Sequence, residues 1–443
     1  MGKIKNTKEL ATTGLREAAL GIAEAGFTAI DTASVIRRTV SVEVGTPAWP
    51  AGRLTVAGHA YDLQKVRRLY VIGVGKCASA AVVALEEVLG SRIAGGVMID
   101  VKYDGGLSFV RGFEGDHPFP SRRNASATRE LVRLLSDATA EDLVLAVISG
   151  GGSTLLCLPD DDRWCDDEAR LVKLLFKSGA DIRELNTVRK HLSRARGGFL
   201  AAHAYPAPLV SLIFSDVPGD DLEFVSSGPT VLDTTTVADA RAILTRYRVA
   251  EQCPDVAGRL IETPKEQRFF ERTTNLLAVS NGTALDAMAA EAARRGFSPE
   301  VRARAFAGEA RDLALIFLGE LHASPPGAAL LYGGESTVTV MHDGKGGRNQ
   351  ELALSGLRDI RDGELLLALA TDGRDNTDYA GGICDTITLD HARVHGLDIE
   401  RSLDGNESYR FFAESGDAVV TGETGSNVSD IILALKANHP ATP

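Results

Sequence analysis

The 443-residue sequence contains few cysteines and no long apolar run, and it carries no excess of basic residues. The five cysteines are scattered and never form a C-x-x-C pair, which argues against a disulfide framework or a zinc cluster and favours the reducing cytoplasm. The longest apolar runs, such as residues 143–148, are far too short to span a bilayer, and no apolar signal region follows the first residue. We therefore expect a cytoplasmic protein with no membrane partner.

Charge and composition narrow the class of protein further. The 48 Lys and Arg residues against 60 Asp and Glu residues leave a formal net charge of −12 at pH 7. Because a protein that binds nucleic acid needs a basic surface, we expect no nucleic-acid partner. The 44% hydrophobic and 24% charged residues exclude disordered and fibrous proteins and are typical of a globular enzyme or binding protein. The length predicts two or three domains, and two if they are large α/β domains.

Glycine is abundant, with 45 residues, and many glycines stand in loops that follow short apolar runs. Such segments are LYVIGVGK, GGVMIDVK, LVLAVISGGGS and LVSLIFSDVPGDD, which begin at residues 69, 95, 143 and 209. Each predicts a strand and a polar loop, and the helical patterns between them predict a mostly parallel sheet with helices on both faces. Ligands of such sheets bind beyond the carboxyl ends of the strands, where these loops lie.

The pattern weakens over residues 247–270, which are polar and contain two prolines, and it resumes with NLLAVSNGTA at residue 275. We therefore predict two α/β domains, residues 1–250 and residues 251–443. An amphipathic stretch over residues 8–40 predicts helix that packs against a sheet.

The loop after the first of these strands has three interpretations. Gly73, Gly75 and Ala78 match the G-x-G-x-x-G/A pattern of dinucleotide-binding loops, and Asp100 would stand near the ribose. Alternatively, the glycines let the backbone approach an anion at a helix N-terminus, and Lys76 adds a positive charge there. The third interpretation is a tight turn with a solvated lysine.

The third loop consists of Ser149, Gly150, Gly151, Gly152 and Ser153, and it directly follows an apolar strand. Three consecutive glycines offer unobstructed amides and the two serines offer hydroxyls, which predicts a cradle for a phosphate or a carboxylate. A flexible linker is the alternative, although a linker does not normally adjoin a buried strand.

Residues 181–199 predict one amphipathic helix that ends at two glycines. Asn186, Lys190 and Ser193 share one face of this helix, with Arg189 beside it. On a chain with a net negative charge, such a basic face would bind a carboxylate or phosphates, and the alternative is a solvated helix surface.

Three acidic residues, Asp216, Asp220 and Asp221, lie in the turn after the fourth strand. Carboxylates in this place suit Mg²⁺, which prefers one or two of them together with waters and substrate phosphates. The same turn could supply the base for a hydroxyl nucleophile, and turn or cap formation would explain some of the acids without any site.

In the second half, GGES at residues 333–336 and GKGGRNQE at residues 344–351 are joined by a short predicted strand, so both could reach one site from a hairpin. Arg348 is the sharpest candidate because its planar guanidinium pairs with phosphate or carboxylate through two hydrogen bonds. Asp372 follows another strand, where it could bind a ligand or cap a helix. The neighbouring candidates for substrate binding are Gly334, Glu335 and Asn349.

The motifs taken in order resemble the glycerate 2-kinase family, the type II glycerate kinases. They are VGKCAS, DHPFP, SGGGST, IRELNTVRKHLS, SDVPGDD, GGESTVTV, GKGGRNQE, ATDG and TGETGSN. The resemblance implies two α/β domains that flank a cleft with the active site, the first Rossmann-like and the second smaller, with a MOFRL region over about residues 325–436. It also implies transfer of the γ-phosphoryl group of ATP to the 2-hydroxyl of D-glycerate with Mg²⁺, which yields 2-phosphoglycerate.

By motif, the catalytic lysine of the family falls on Lys76 and its catalytic arginine on Arg348, although Cys77 is inserted before the serine of the first motif. The sequence departs from the family at two further places. Asn376 interrupts the usual T-D-G-x-D-G-P-T-D, and Glu423 replaces the proline of T-G-P-T-G-T-N. The preference for donor or acceptor could therefore differ.

The residues and the resemblance together predict phosphoryl transfer, in which Lys76 and Arg348 converge on the transferred phosphate and Asp216 accepts the hydroxyl proton. His117 could orient the substrate or form a structural turn. Alternatives are an NAD(P)-dependent hydroxypyruvate reductase or hydroxy acid dehydrogenase, a kinase of a related sugar acid, and a non-catalytic sensor. We expect a small hydroxy acid as partner and a monomer or homodimer. The predicted magnesium ligands are Asp220, Asp221 and Asp372.

Overall fold

The computed structural model describes residues 2–45, 52–159, 161 and 164–438. The chain forms two compact units. One is Thr32–Ala278, which we call the central unit. The other combines Met1–Asp31 with Val279–Pro443, and we call it the terminal unit because both ends of the chain belong to it.

The strands of the described residues are numbered in chain order. They are β1 (Val40–Glu43), β2 (Arg53–Val56), β3 (His59–Asp62), β4 (Leu69–Val74), β5 (Ile93–Asp100), β6 (Arg111–Glu114), β7 (Leu143–Ser149), β8 (Leu209–Phe214), β9 (Thr273–Val279), β10 (Ser298–Glu309), β11 (Ala328–Thr337), β12 (Glu364–Ala370), β13 (Gly381–Asp385), β14 (Ala418–Val419) and β15 (Asp430–Lys436).

The helices of the described residues are numbered in the same way. They are α1 (Thr7–Leu10), α2 (Gly14–Ala29), α3 (Thr32–Thr39), α4 (Ala78–Leu89), α5 (Arg122–Ser136), α6 (Gly152–Leu155), α7 (Trp164–Lys177), α8 (Ile182–Lys190), α9 (Phe199–Ala204), α10 (Val237–Arg246), α11 (Val249–Gln252), α12 (Pro254–Ala257), α13 (Asn281–Arg294), α14 (Ala310–Ala323), α15 (Arg348–Gly356), α16 (Thr386–His395), α17 (Ile399–Asp404) and α18 (Ser408–Ser415). Short 3₁₀ turns lie at Leu63–Lys65, Gly90–Arg92, Val225–Ser227 and Gln267–Phe269.

The central unit is built on a sheet with the strand order β6-β5-β4-β7-β8-β9. The strands from β6 to β8 pair in parallel. The chain therefore adds strands outward in one direction from β4 and in the other direction from β7. Ligands of such sheets bind at this switch point, beyond the carboxyl ends of the two strands. The predicted Rossmann-like fold of this part is confirmed, and the loops after β4 and β7 flank the switch point.

Helices cover both faces of this sheet. Ile72 and Val74 of β4 pack into a core with residues of α5 and α9. Because strand side chains alternate between faces, the residue between them, Gly73, faces the other way, and a Cβ there would contact Ala78 and Val82 of α4. Every residue of β4 and β7 is buried, as expected for parallel strands covered on both sides. A small antiparallel sheet, β1-β2-β3, also belongs to this unit.

The terminal unit is also α/β, as predicted, but its sheet is mixed. The strand order is β10-β11-β15-β12-β13-β14, and β10 pairs with β11 in parallel. The other pairings are antiparallel, with β15 between β11 and β12. Phe317 of α14, Tyr332 of β11 and Leu354 of α15 belong to the buried core on one face.

The N-terminal helix α2 packs within the terminal unit, against α13 and the strands β12 and β15. Arg16 on this helix is 1% exposed, and its guanidinium donates to Asp385 at 2.7 Å and to Asp417 at 2.8 Å. Among the described residues, no single helix is long and apolar enough to cross a membrane, although α2 and α3 taken together meet the criteria of length and composition.

The two units differ from the predicted domains 1–250 and 251–443 because the central unit begins later, at Thr32, and ends later, at Ala278. β9 forms the edge of the first sheet beside β8, which carries the central unit on to Ala278. The first 31 residues join the terminal unit because the partners of α2 lie there. Periodicity identifies the apolar face of a helix but not the surface that covers it.

The prediction of one helix over residues 181–199 is wrong. Helix α8 ends at Lys190, and α9 begins only at Phe199. Between them, the Ser193 hydroxyl donates to the carbonyl of Leu156 at 2.8 Å, which fixes the chain in a turn. Such a contact with a distant segment has no signal in the local sequence.

The predicted hairpin after the GGES motif is also wrong. β11 extends to Thr337, and the following residues 338–347, all described, form a loop. The partners of β11 are β10, which precedes it across α14, and β15, which lies near the C-terminal end of the described residues.

Arg16→Ala should lower the free energy of unfolding by about 3–5 kcal/mol, because it leaves two buried carboxylates without their shared counter-charge. Urea unfolding followed by circular dichroism measures the change. Arg410→Ala is the control, since Arg410 pairs with Glu414 on an exposed helix surface, and its loss should leave the unfolding midpoint unchanged. A midpoint equal to wild type in Arg16→Ala would contradict the docking of α2.

Candidate functional site

Lys76 lies in a sharp turn between β4 and α4, at the switch point of the central sheet. Gly75 before it has a φ of +122°, and a Cβ at this position would overlap Ser149. The amide of Lys76 donates to the carbonyl of Gly150 at 2.9 Å, and the amide of Cys77 donates to Ser149 Oγ at 3.3 Å. These bonds join the two glycine-containing loops and leave the Lys76 side chain exposed.

The loop of residues 149–153 leaves no room for side chains at its glycines. Gly151 has a φ of +88°, and a Cβ on it would lie 3.0 Å from Cγ and 3.3 Å from Cε of Lys76. A Cβ on Gly150 would overlap the carboxylate of Asp216. The structure therefore brings Lys76 and Asp216 to the same glycine loop, where the lysine can attract an anion and the carboxylate can accept a proton.

Two serines that the sequence analysis did not single out complete this edge of the sheet. Ser226 and Ser227 have φ values of +54° and +60°, and Ser226 Oγ donates to the carbonyl of Ser149 at 2.5 Å. Ser227 Oγ lies 2.8 Å from Ser153 Oγ and 2.9 Å from Asn186 Oδ1. Ser153 and Asn186, both predicted ligands, thus share one polar network. The Ser-Ser-Gly-Pro turn that carries the two serines was the available sequence signal.

Arg189 adds positive charge beside this network. Its Nε is buried and has no hydrogen-bond partner within the part of the chain that the structure describes. Burial and the nearby charge of Arg196 lower the pKa of Arg189. Partial desolvation, with the charges of Lys76 and Arg189, lowers the pKa of His117 to about 4, so that His117 is neutral at physiological pH. Both shifts come first from burial and second from the neighbouring positive charges, which an anionic ligand would offset.

The structure corrects the prediction for Lys190, which does not belong to the binding face. Its side chain is 1% exposed, and Nζ lies 2.9 Å from Asp233 Oδ1 and 3.2 Å from Glu223 Oε2. These two acids neutralise Lys190 inside the unit. Of the basic stripe predicted for this helix, Asn186 and Arg189 remain as candidate ligands.

The three predicted magnesium ligands make contacts typical of turns. Asp220 has a φ of +55°, and Asp221 accepts a hydrogen bond from the amide of Glu223 at 3.1 Å. Asp372, in the terminal unit, accepts one from the amide of Arg374 at 2.9 Å. Across the described residues, no group of three or more His, Cys, Asp and Glu side chains is placed to hold a metal ion. These acids therefore form no preformed metal cage in that part of the chain.

The carboxylate of Asp100, the candidate ribose ligand of the dinucleotide interpretation, is bound by backbone amides of the protein. Asp100 is 3% exposed, and its carboxylate accepts hydrogen bonds from the amides of Ser79 at 2.8 Å and Val101 at 2.6 Å. Burial raises its pKa. Since Ser79 lies in the first turn of α4, Asp100 stabilises the start of that helix and is not presented to a ligand.

In the terminal unit, Arg348 is the first residue of α15 and is held by two carboxylates. Nε donates to Asp430 Oδ2 at 2.6 Å and Nη2 donates to Asp430 Oδ1 at 3.0 Å, while Nη1 contacts Glu335. Burial opposes the charge on Arg348, but Asp430 raises its pKa above the ordinary value. Burial raises the pKa of Asp430 to about 7, against the opposing effect of Arg348. Glu335 thus has a cation as its partner, and its predicted substrate role stays a prediction.

A second buried carboxylate, Asp375, fixes the next two residues of α15. The amides of Asn349 and Gln350 donate to its two oxygens at 3.0 Å and 2.8 Å. Asn349 is fully buried, so its predicted contact with substrate needs a change in its surroundings. Gly347 and Gly334 allow close packing, since a Cβ on Gly347 would overlap Asp375 and one on Gly334 would overlap the backbone of β10.

The two departures from the family motifs are accommodated locally. Asn376 has a φ of +54°, which asparagine adopts more easily than most residues, and its Nδ2 donates to the carbonyl of Gly346 at 2.9 Å. Glu423 is exposed, and its carboxylate lies 3.0 Å from Nη2 of Arg374. Asn376 therefore adopts the left-handed backbone conformation that a glycine at this position would also allow.

Comparison with known proteins relates this chain to two families. Residues 18–262 match a family described as a domain of unknown function, DUF4147, and residues 328–430 match the MOFRL family, inside the predicted region 325–436.

Individual relatives cover most of the chain. It is 38% identical over 405 residues to the glycerate 2-kinase of Pyrococcus horikoshii, an alignment that covers 86% of this chain and 90% of that protein. A protein of Agrobacterium vitis, named provisionally as a hydroxypyruvate reductase, is 38% identical over 386 residues, with 83% and 87% covered. The crystal structure of the glycerate kinase of Thermotoga maritima aligns with a TM-score of 0.83 and 33% identity, covering 96% of this chain and 99% of that one.

Gly151→Ala should weaken the binding of pyrophosphate about tenfold or more, because the added methyl group would push against the Lys76 side chain in addition to straining the backbone. Isothermal titration calorimetry measures the affinity.

Gly179→Ala is the matched control for this substitution. Gly179 has a φ of +85°, close to the +88° of Gly151, but a Cβ there would have no atom within 4 Å. The two variants should therefore lose similar stability, about 1–2 kcal/mol, while only Gly151→Ala loses affinity. Equal affinities in the two variants would contradict an anion site at this loop.

Proposed function

The chain belongs to the glycerate kinase family, and on that premise we propose that it transfers the γ-phosphoryl group of ATP to the 2-hydroxyl of D-glycerate, which yields 2-phosphoglycerate. One observation carries the proposal. Lys76 lies against Gly151 of a three-glycine loop, at the switch point of a Rossmann-like sheet. Amides in such a loop bind phosphate oxygens, and the lysine supplies the compensating charge.

Phosphoryl transfer requires positioning and charge neutralisation more than covalent chemistry by the protein. The amides of residues 150–152 would hold phosphate oxygens of the nucleotide. Lys76 is exposed at the same loop, so its ammonium group can neutralise charge on the transferred phosphoryl group. Arg348 is the second positive group that we assign to this reaction, by the family motif.

Asp216 is the proposed acceptor of the hydroxyl proton. Its carboxylate lies against the backbone of Gly150, at the loop that also holds Lys76. A carboxylate close to the phosphate-binding loop can take the proton of a hydroxyl group that attacks phosphorus there.

The donor set fits a magnesium ion that arrives with the nucleotide. Mg²⁺ needs one or two carboxylates and completes its shell with waters and phosphate oxygens. Asp220 and Asp221, in the turn that follows Asp216, would supply the carboxylates. When bound, the ion supplies neutralisation of phosphate charge. Asp372 lies in the other unit, and its role as a metal ligand stays a prediction.

Arg189 is the proposed ligand of the glycerate carboxylate. Its buried Nε lacks a hydrogen-bond partner within the described residues. His117 is neutral and therefore carries no positive charge that would compete with Arg189 for the carboxylate. Ser153 and Asn186 offer hydrogen-bonding groups for the hydroxyls of the acceptor.

A hydroxypyruvate reductase is the second candidate, favoured by the name that two relatives from Agrobacterium vitis carry. The contacts of Asp100 argue against it, because the acid that ends β5 is buried and bound to backbone amides and is not presented to a ribose. A kinase of a related sugar acid uses the same chemistry and differs only in the acceptor.

Purified protein with ATP and Mg²⁺ should release ADP when D-glycerate is added, and ³¹P NMR should identify 2-phosphoglycerate as the product. A parallel reaction with hydroxypyruvate and NADH should show no loss of nicotinamide absorbance. Nicotinamide oxidation without ADP release would overturn the kinase proposal. Release of ADP with other sugar acids but not with D-glycerate would overturn the assigned acceptor.

Lys76→Ala and Arg348→Ala should each lower kcat/KM more than about tenfold in the folded protein, because each removes a positive group that neutralises the transferred phosphate. Arg348→Ala should also lower the unfolding midpoint, because it leaves the buried carboxylate of Asp430 without its counter-charge. Lys177→Ala and Arg410→Ala are the matched controls, since they remove exposed cations of the same type. Wild-type activity in both Lys76→Ala and Arg348→Ala would refute their assigned roles.

A further inference from the structure

We propose that Asp430 is a positioning residue for Arg348, which it holds so that one edge of the guanidinium remains for an anionic ligand. The proposal rests on the role of Arg348 under the proposed function. Asp430 itself would not touch the substrate, because its carboxylate is fully buried.

The two residues meet in a parallel, two-bond contact. Nε and Nη2 of Arg348 bind the two carboxylate oxygens of Asp430 at 2.6 Å and 3.0 Å. Two such bonds fix the plane of the guanidinium as well as its distance, which one bond cannot do. A long, flexible side chain is thereby restricted to one orientation.

The backbone of Asp430 is itself firmly placed. It is the first residue of β15, the strand between β11 and β12, and it stands opposite Gly334 on one side and Ala370 on the other. Arg348 begins α15, but its guanidinium stands at the end of a longer side chain with more rotatable bonds than that of Asp430. The carboxylate is therefore the fixed partner of the pair, and the arginine is the group that is oriented.

The remaining edge of Arg348 is the one that can exchange partners. Its Nη1 contacts Glu335, whose side chain is 45% exposed, whereas the Asp430 side chain is 0% exposed. A phosphate or carboxylate that approaches from solvent would replace Glu335 and leave the contact with Asp430 intact. The buried contact with Asp430 thus orients the guanidinium, and the exposed contact with Glu335 is the one that a ligand can replace.

Asp430→Asn tests the proposal, because an amide of the same shape cannot accept both hydrogen bonds from Arg348. In the glycerate kinase assay, kcat should fall about tenfold or more, while the KM values change less than about threefold. In an Arg348→Ala background the same substitution should cause less than about a twofold further loss, because its effect passes through the arginine. Equal losses in the two backgrounds would overturn the proposal.

Asp385→Asn is the matched control. Asp385 forms the same kind of buried two-bond contact with Arg16 in the same unit, at 2.7 Å for both bonds. It should lower the unfolding midpoint like Asp430→Asn but leave kcat unchanged. An equal loss of kcat in the control would mean that disruption of any buried pair in this unit suffices, and the specific role of Asp430 would be refuted.

Two further outcomes keep the inference separate from the proposed function. Full activity in Arg348→Ala would refute the role of Arg348, whereas a strong loss there with none in Asp430→Asn would refute the inference alone. If Asp430→Asn does not fold, Asp430→Glu keeps the buried charge but displaces the oxygens. A lowered kcat in this folded variant supports the inference, and an unchanged kcat overturns it.

Discussion

The close approach of two backbones, where the loops after β4 and β7 meet, is the constraint on which the candidate site depends. A Cβ on Gly75 would overlap Ser149, and a Cβ on Gly151 would contact Lys76. The two strands pair in register up to Val74 and Ile148, so the loops that follow them lie side by side. Glycine is the residue that permits this approach, and it lets the Lys76 side chain lie against the backbone of Gly151.

The terminal unit positions its charged groups by a different means. Asp375 and Asp430 are buried carboxylates, which are costly unless they are paired and hydrogen-bonded. Their hydrogen bonds fix the first turn of α15. Asp375 accepts from the amides of Asn349 and Gln350, and Asp430 accepts from the guanidinium of Arg348. The central unit thus offers a glycine loop, and the terminal unit offers Arg348, whose guanidinium is bound by the buried carboxylate of Asp430.

Much of this could be predicted from the sequence, because its signals are local. Apolar runs that end in glycine loops predict parallel strands, and the carboxyl ends of such strands share one edge, so Lys76, residues 149–153 and Asp216 were expected together. The end of α8 was not predictable, because Ser193 is held by a carbonyl from a distant segment. The sequence did not predict that the terminal unit combines two separate stretches of the chain. The periodicity of α2 shows that one face of this helix is buried, but it does not show which elements cover that face.

The sequence by itself determined the fold class, the order of the glycine loops and the kinds of residue that each loop carries. It could not separate Arg189 from Lys190, which are adjacent basic residues on one helix. Only the tertiary structure decided that Asp233 and Glu223 neutralise Lys190. It likewise decided that the buried carboxylate of Asp430 pairs with Arg348. The physical reason is that burial and charge pairing depend on side chains far away in the sequence, whereas the patterns of strands, turns and helices depend on near neighbours.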